Sequence, residues 1–301
     1  FRPPERLYYR AEDGWEAPLW HYPAAHGTSG EPVVLAHGLG TGSIGFDYER
    51  PRSLARFLAR NGFSVYVLEH RGDRHAIAPE DHAPFDLDDI VDQDLPAALD
   101  RIRSHSSHRR ALWIGHSLGG QLLVAHLARQ GSNEIAAGVL ICAPVLFQVP
   151  RSTARLAAMA AQLLPRTWTL PTRRIHQALA PLGLDVHASA LSSQLSGPMR
   201  RGIWMHGATD LQSALLRQLA TSIRSGALVD RYDRIDYLTA MRHAQVPLMA
   251  IAADGDPICP PSSARPVLEH LPPHAREWMQ LDARWSHLDP ILSDEAATEI
   301  H

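Results

Sequence analysis

The 301-residue sequence contains no lysine; all 29 of its basic residues are arginine. That absence excludes a Schiff-base lysine and a phosphate-loop lysine, and the chemistry each would carry. Cysteine is almost as scarce, with only Cys142 and Cys259. They form no C-x-x-C pattern and no disulfide framework, and each sits near the end of an apolar run. Buried free thiols are therefore expected. No apolar stretch approaches the roughly 18 residues that a membrane-spanning helix needs. The net charge of −3 supplies no positive field for a polyanion, so no nucleic-acid partner is expected. Histidine is plentiful, at 18 residues, but scattered, without H-E-x-x-H or any paired spacing. No metal and no organic cofactor is expected. Phe1 to Glu5 lack the organisation of a signal peptide. A cytoplasmic protein is the expectation, with a leader cleaved upstream left open.

What is present is a strand and helix alternation with enough apolar residues, 45%, to fill a sizeable core. Glu5–Ala11 and Glu16–Tyr22 read as strands joined at Asp13-Gly14, a strong hairpin signal. Pro32–Ala36 is a short buried strand. Ser53–Arg60 has helical spacing through Leu54, Phe57 and Leu58, and Phe63–Leu68 is a third strong strand. Asp86–Ser104 carries acids early and arginines late, as a helix dipole favours. Later strands are predicted at Ala111–Gly115, Ala137–Cys142, Val246–Ala252 and Glu277–Leu281. This order predicts an α/β fold with a mostly parallel sheet and helices on both faces. Functional loops then belong at the carboxyl ends of the strands. One long segment, 147–244, breaks the alternation: it is rich in helix formers and arginine, contains no convincing strand, and reads as an inserted helical cap. Residues 1–146 and 245–301 would form the core. Within the cap, Arg151–Leu164 and Leu211–Ser225 are amphipathic.

The stretch with the most chemistry in it is Gly115-His116-Ser117-Leu118-Gly119-Gly120, between an apolar strand and a helix-forming run, Gln121–Gln130. A serine flanked by glycines at such a junction has the layout of a nucleophile elbow. The other reading of Ser117 is an ordinary helix N-cap. A serine nucleophile needs a base, and the base needs an orienting carboxylate. Two later loops offer them: Ala253-Asp254-Gly255-Asp256-Pro257-Ile258-Cys259-Pro260 and Trp285-Ser286-His287-Leu288-Asp289.

In this combination and order the chain resembles the α/β-hydrolases, specifically an acid-lipase-like esterase branch with a helical cap. The resemblance runs from about Pro32 to Asp289. It implies a triad in the order Ser117, Asp256, His287, with Asp254 the competitor for the acid. It implies an oxyanion hole from the backbone N–H groups of Leu39 and Leu118. His37, Gly38 and His116 would lie near the substrate, and Leu156, Met159, Leu163 and Leu219 of the cap are candidate substrate contacts. The Glu69–Asp73 loop is expected to be structural. The implied activity is hydrolysis of an acyl ester through an acyl-enzyme. The partner would be a small acyl substrate, apolar because each buried methylene adds about 0.8 kcal/mol. A thioesterase or acyltransferase is the alternative, since the same triad serves it, and a non-catalytic ligand-binding relative is a third reading. Oligomeric state is not legible.

Overall fold

The computed structural model describes residues 4–25, 30–49, 52–147, 153–180 and 194–300, with the backbone alone for 153–157. Side chains along the central strands alternate between two apolar layers. In β3 (Pro32–Ala36), Val33 and Leu35 join one core cluster, while Val34 and Ala36 join the other. β4 (Ser64–Leu68) repeats this, with Val65 and Val67 on one side and Tyr66 and Leu68 on the other. Period-two alternation between two apolar faces means a sheet covered on both sides.

The sheet has eight strands in the order β1 (Glu5–Arg10), β2 (Glu16–Tyr22), β4, β3, β5 (Ala111–His116), β6 (Ile135–Ile141), β9 (Leu248–Ala253), β10 (Arg276–Leu281). β1 and β2 form the expected hairpin, and β2 runs antiparallel to β4. The remaining neighbours are parallel: β4, β3, β5, β6, β9 and β10. Parallel direction puts all their carboxyl ends on one edge. The loops after β3, β4, β5, β9 and β10 therefore meet there, although they lie far apart in sequence.

The connecting helices are α1 (Leu54–Arg60), capped by Ser53, and α2 (Leu95–Ser106), which continues a wider helical run from Leu87. α3 (Leu118–Arg129) starts three residues earlier than the composition suggests and is buried from Leu118 to Leu127. It is covered on one side by the sheet and on the other by the turn Tyr237–Ala240.

The insertion contains α4 (Thr153–Leu163), α5 (Thr172–Leu179), α6 (Gly197–Gly207) and α7 (Ser213–Ser225). α4 packs on α7, with Gln162 Nε2 donating to Arg217 O at 2.9 Å and to Thr221 Oγ1 at 2.8 Å. Two features of this segment were not legible in the sequence. Two short strands, β7 (Thr169–Leu170) and β8 (Leu211–Gln212), pair antiparallel inside the cap. They are too short to show any periodicity. The last part of the segment also packs on the main core. Phe147 N donates to Gly226 O at 2.9 Å and Leu228 N to Val145 O at 3.0 Å, so the chain re-enters beside its exit. From Leu228 onward, Tyr237, Leu238 and Met241 belong to the main core. Their apolar side chains bury against α3, and helix-forming composition alone does not reveal that.

Candidate active site

The turn between β5 and α3 is a single residue. Ser117 has φ 52° and ψ −115°, a strained conformation for a residue with a side chain, costing about 1–3 kcal/mol. The surroundings hold it there. Ser117 N donates to Ile141 O at 2.9 Å, and Gly120 N and Gln121 N donate to Ser117 O. Trp113 Nε1, from the fully buried indole, donates to Gly119 O at 3.0 Å. Leu122, Leu123 and Val124 are wholly buried one turn further on, at roughly 2 kcal/mol each, which outweighs the strain. The glycines are steric necessities: a Cβ on Gly119 would stand 2.0 Å from Ala36 O, and one on Gly115 2.3 Å from Gly119 O. The Ser117 side chain caps no backbone N–H, so the N-cap reading does not apply. The residue is half-buried.

Its hydroxyl lies 3.0 Å from His287 Nε2, and His287 Nδ1 lies 2.7 Å from Asp256 Oδ2. A carboxylate only accepts, so Nδ1 carries the proton and Nε2 offers its lone pair to the Ser117 hydroxyl. The second carboxylate oxygen, Oδ1, accepts from Ile258 N at 2.8 Å and Cys259 N at 3.0 Å. The Asx turn and the histidine contact thus use different oxygens of one side chain. Burial opposes the charge on Asp256, but the hydrogen bond and charge of His287, helped by the two backbone donors, hold its pKa below the ordinary value. Asp254 is exposed and accepts from Gln280 Nε2 at 2.8 Å, away from the histidine.

His116 lies behind His287, with ring centroids 4.8 Å apart, and its Nε2–H donates to His287 O at 2.9 Å. Burial and then the neighbouring His287 charge push its pKa down to about 3, so it is neutral. It holds the histidine loop, a role its position in the sequence did not disclose; the sequence reading had placed it near substrate.

Leu118, the first residue of α3, has no acceptor within its own helix for its N–H. Gly38 lies against the elbow: a Cβ there would be 3.1 Å from Ser117 Cβ and 3.0 Å from His116 Nδ1. The peptide leading into Leu39 is therefore beside the nucleophile. His37, expected near substrate, lies against the Asp73 carboxylate. It is buried; Nδ1 is 3.0 Å from Gly38 O and Nε2 is 2.8 Å from Asp73 Oδ2. Both ring nitrogens thus lie within hydrogen-bond distance of an oxygen. The Glu69–Asp73 loop, expected to be structural, carries charge pairs. Arg71 pairs with buried Asp94 and with Asp13, while Asp73 pairs with His37.

The cap residues proposed as substrate wall fare differently. Met159 is 66% exposed and Leu163 85%, on the solvent side of α4 among the described residues. Amphipathic spacing identified a helix face, but not what that face meets. Leu219 is half-buried and packs against the main core, and the Leu156 side chain lies outside the described residues. Sequence reasoning missed the ion-pair cluster that holds the returning chain. Arg231 reaches Asp86 (3.0 Å), Asp88 (3.2 Å) and Asp89 (2.7 Å), and Gln218 and Tyr237 also bind Asp88. The acid-rich run Asp86–Asp89 was its only signal, and it read as a helix start.

Among the described residues, three side-chain groups come close enough to share a metal: Glu5/His21/His105, His37/His70/Asp73 and Cys142/Asp256/His287. The last two overlap the hydrogen-bond pairs described above. No described helix is long and apolar enough to cross a membrane.

The α/β hydrolase fold family model matches residues 31–289. Human lipase member K is 28% identical over 152 residues, covering 46% of this chain and 38% of the relative. A tear acid lipase-like protein from Mesocricetus auratus is 31% identical over 146 residues, covering 44% and 36%. The matched part is little more than a third of those relatives' length. An esterase from Exiguobacterium antarcticum superposes with a TM-score of 0.68 at 16% identity, covering 97% of this chain and 95% of its own. Six parallel strands ending at one edge, a strained serine elbow on that edge and a family match spanning both its flanking loops lead to one assignment: the chain belongs to the α/β hydrolase fold family.

Proposed function

We propose that the protein is a serine hydrolase that cleaves carboxylic acyl esters. The observation that carries this reading is the linear set Ser117 Oγ, His287 and Asp256, with contacts of 3.0 and 2.7 Å. In the reaction, the Ser117 oxygen attacks the acyl carbonyl as His287 Nε2 takes its proton. The charge that grows on the carbonyl oxygen is met by the Leu39 and Leu118 N–H groups. His287 returns the proton to the departing alkoxide, and the acyl group stays on Ser117. Water then attacks the acyl-enzyme, losing a proton to His287, which passes it to the departing Ser117 oxygen as the carboxylic acid leaves. Asp256 holds the imidazole in the Nδ1–H tautomer and offsets its charge at both steps. The kinship with lipases supports an ester as substrate.

Turnover of short p-nitrophenyl esters and fluorophosphonate labelling test this. Ser117→Ala should abolish both while the variant stays folded. Full ester turnover by Ser117→Ala would refute the mechanism. A parallel thioester panel distinguishes the alternative leaving group: faster thioester than ester turnover would replace the esterase reading.

A further inference from the structure

The carbonyl of Gly38 belongs to the same peptide group as the Leu39 N–H. Three donors converge on it: His37 Nδ1 at 3.0 Å, Thr41 Oγ1 at 3.0 Å and Thr41 N at 3.3 Å. The other His37 nitrogen, Nε2, is 2.8 Å from Asp73 Oδ2. Carbonyl and carboxylate oxygens only accept. Filling both contacts needs a proton on each ring nitrogen, the state of an imidazolium. Asp73 is buried and also accepts the His70 N–H at 2.8 Å.

Burial works against a charge on His37, yet the charge and hydrogen bond of Asp73, with the Gly38 carbonyl, outweigh it and lift the pKa to about 9. Asp73 is held below the ordinary carboxylate value by His37 and His70 despite its burial. The other groups facing His37 are Glu69, which favours the cation, His70, whose ring lies 5.0 Å away, and neutral His116.

We propose that His37 and Asp73 are positioning residues for ester hydrolysis: the buried ion pair fixes and polarises the Gly38–Leu39 peptide, so that the Leu39 N–H is a stronger donor to the oxyanion. The inference rests on the serine hydrolase reading above. A charged donor on a carbonyl oxygen draws electron density through the amide and leaves the N–H of that peptide more positive. Hydrogen bonds from ionised donors are roughly twice as strong as neutral ones. The benefit grows as charge develops on the substrate oxygen, so it belongs to kcat rather than KM.

The test compares wild type, Asp73→Asn and Thr41→Val on p-nitrophenyl acetate between pH 6 and 10, with fluorophosphonate labelling and 15N-histidine NMR of the wild type. The amide introduced by Asp73→Asn still accepts from the His70 N–H but lacks the charge, so burial neutralises His37. Losing an oxyanion donor outright costs about 10²–10³-fold, so weakening one predicts a fall in kcat of about tenfold with KM within about twofold. Wild-type kcat should decline above pH ~9, and this limb should vanish in Asp73→Asn. Thr41→Val removes a neutral donor, so kcat should drop about threefold with the alkaline limb kept. NMR at pH 7.5 should show His37 doubly protonated. A singly protonated His37, or an unchanged kcat and alkaline limb in a folded Asp73→Asn, overturns the proposal. Should Asp73→Asn not fold, the NMR result and Thr41→Val decide. Wild-type Ser117 that resists labelling would sink the hydrolase reading and this one together; a labelled, active wild type with an unaltered variant sinks this one alone.

Discussion

Asp256→Asn isolates a single proton. Asn keeps the shape of the side chain, and its oxygen can still accept from Ile258 N and Cys259 N, which presently lie 2.8 and 3.0 Å from Oδ1. The other branch becomes an amide NH₂ facing His287 Nδ1, where a carboxylate oxygen stood at 2.7 Å. Two donors cannot share that contact, so the imidazole must carry its proton on Nε2. That nitrogen, 3.0 Å from the Ser117 hydroxyl, then has no lone pair to receive a proton. The same tautomer error lowers kcat about 10⁴-fold in serine proteases, which is about 5.4 kcal/mol of barrier. A fall of that size in kcat is expected here, on a p-nitrophenyl ester at pH 7.5, with the thermal midpoint within a few degrees of wild type. Asp254→Asn is the control. Its carboxylate is exposed and touches only Gln280 among the described residues, so activity should stay within twofold. If Asp256→Asn retains more than a tenth of wild-type kcat, the carboxylate does not set the tautomer and the triad assignment of Asp256 is wrong.

Gly119→Ala should cost at least about 3 kcal/mol, because its Cβ would sit 2.0 Å from the Ala36 backbone oxygen and neither the buried helix nor the central strand can yield cheaply; a urea midpoint equal to wild type contradicts this. Arg231→Ala should cost about 2–3 kcal/mol near pH 7.5 by leaving buried Asp86 and Asp88 less compensated. The loss should shrink toward pH 5. Burial, and then the Asp89 charge, raise the Asp86 pKa to about 6 despite Arg231, so the folded state binds its proton more tightly than the unfolded chain. The stability this proton contributes is complete below the unfolded value of about 3.9 and is lost as pH rises through 6. Without Arg231 the pKa climbs further, and protonation removes the uncompensated charge. Thermal midpoints at the two pH values check this, and an equal deficit at both would disprove it.

The local elements were legible because each was written in a short window. β2 and β3 have the bounds that alternation and turn residues gave them, and the Asp13-Gly14 turn joins the hairpin with Gly14 at positive φ. The candidate triad was legible only through motif context. Ser117 is marked by its glycines and Asp256 by its Gly-Asp-x-Ile-x-Pro setting, whereas His287 is one histidine among 18 and stands out solely by its place after the last strand. The cap misled for the opposite reason. Met159 and Leu163 fit an amphipathic period, but a period does not say which surface a face meets.

Composition and motif order by themselves determined the α/β class and marked the elbow, because steric demands and strand periodicity act within a few residues; the candidate triad came from the resemblance that the motif order carries. Tertiary structure alone decided which charges meet. His37 finds Asp73 and Arg231 finds Asp86 only when strand ends and the chain returning from the insertion are packed together. Burial there strips away water and makes pairing obligatory, and neither burial nor pairing across long stretches of chain is a property of any local segment.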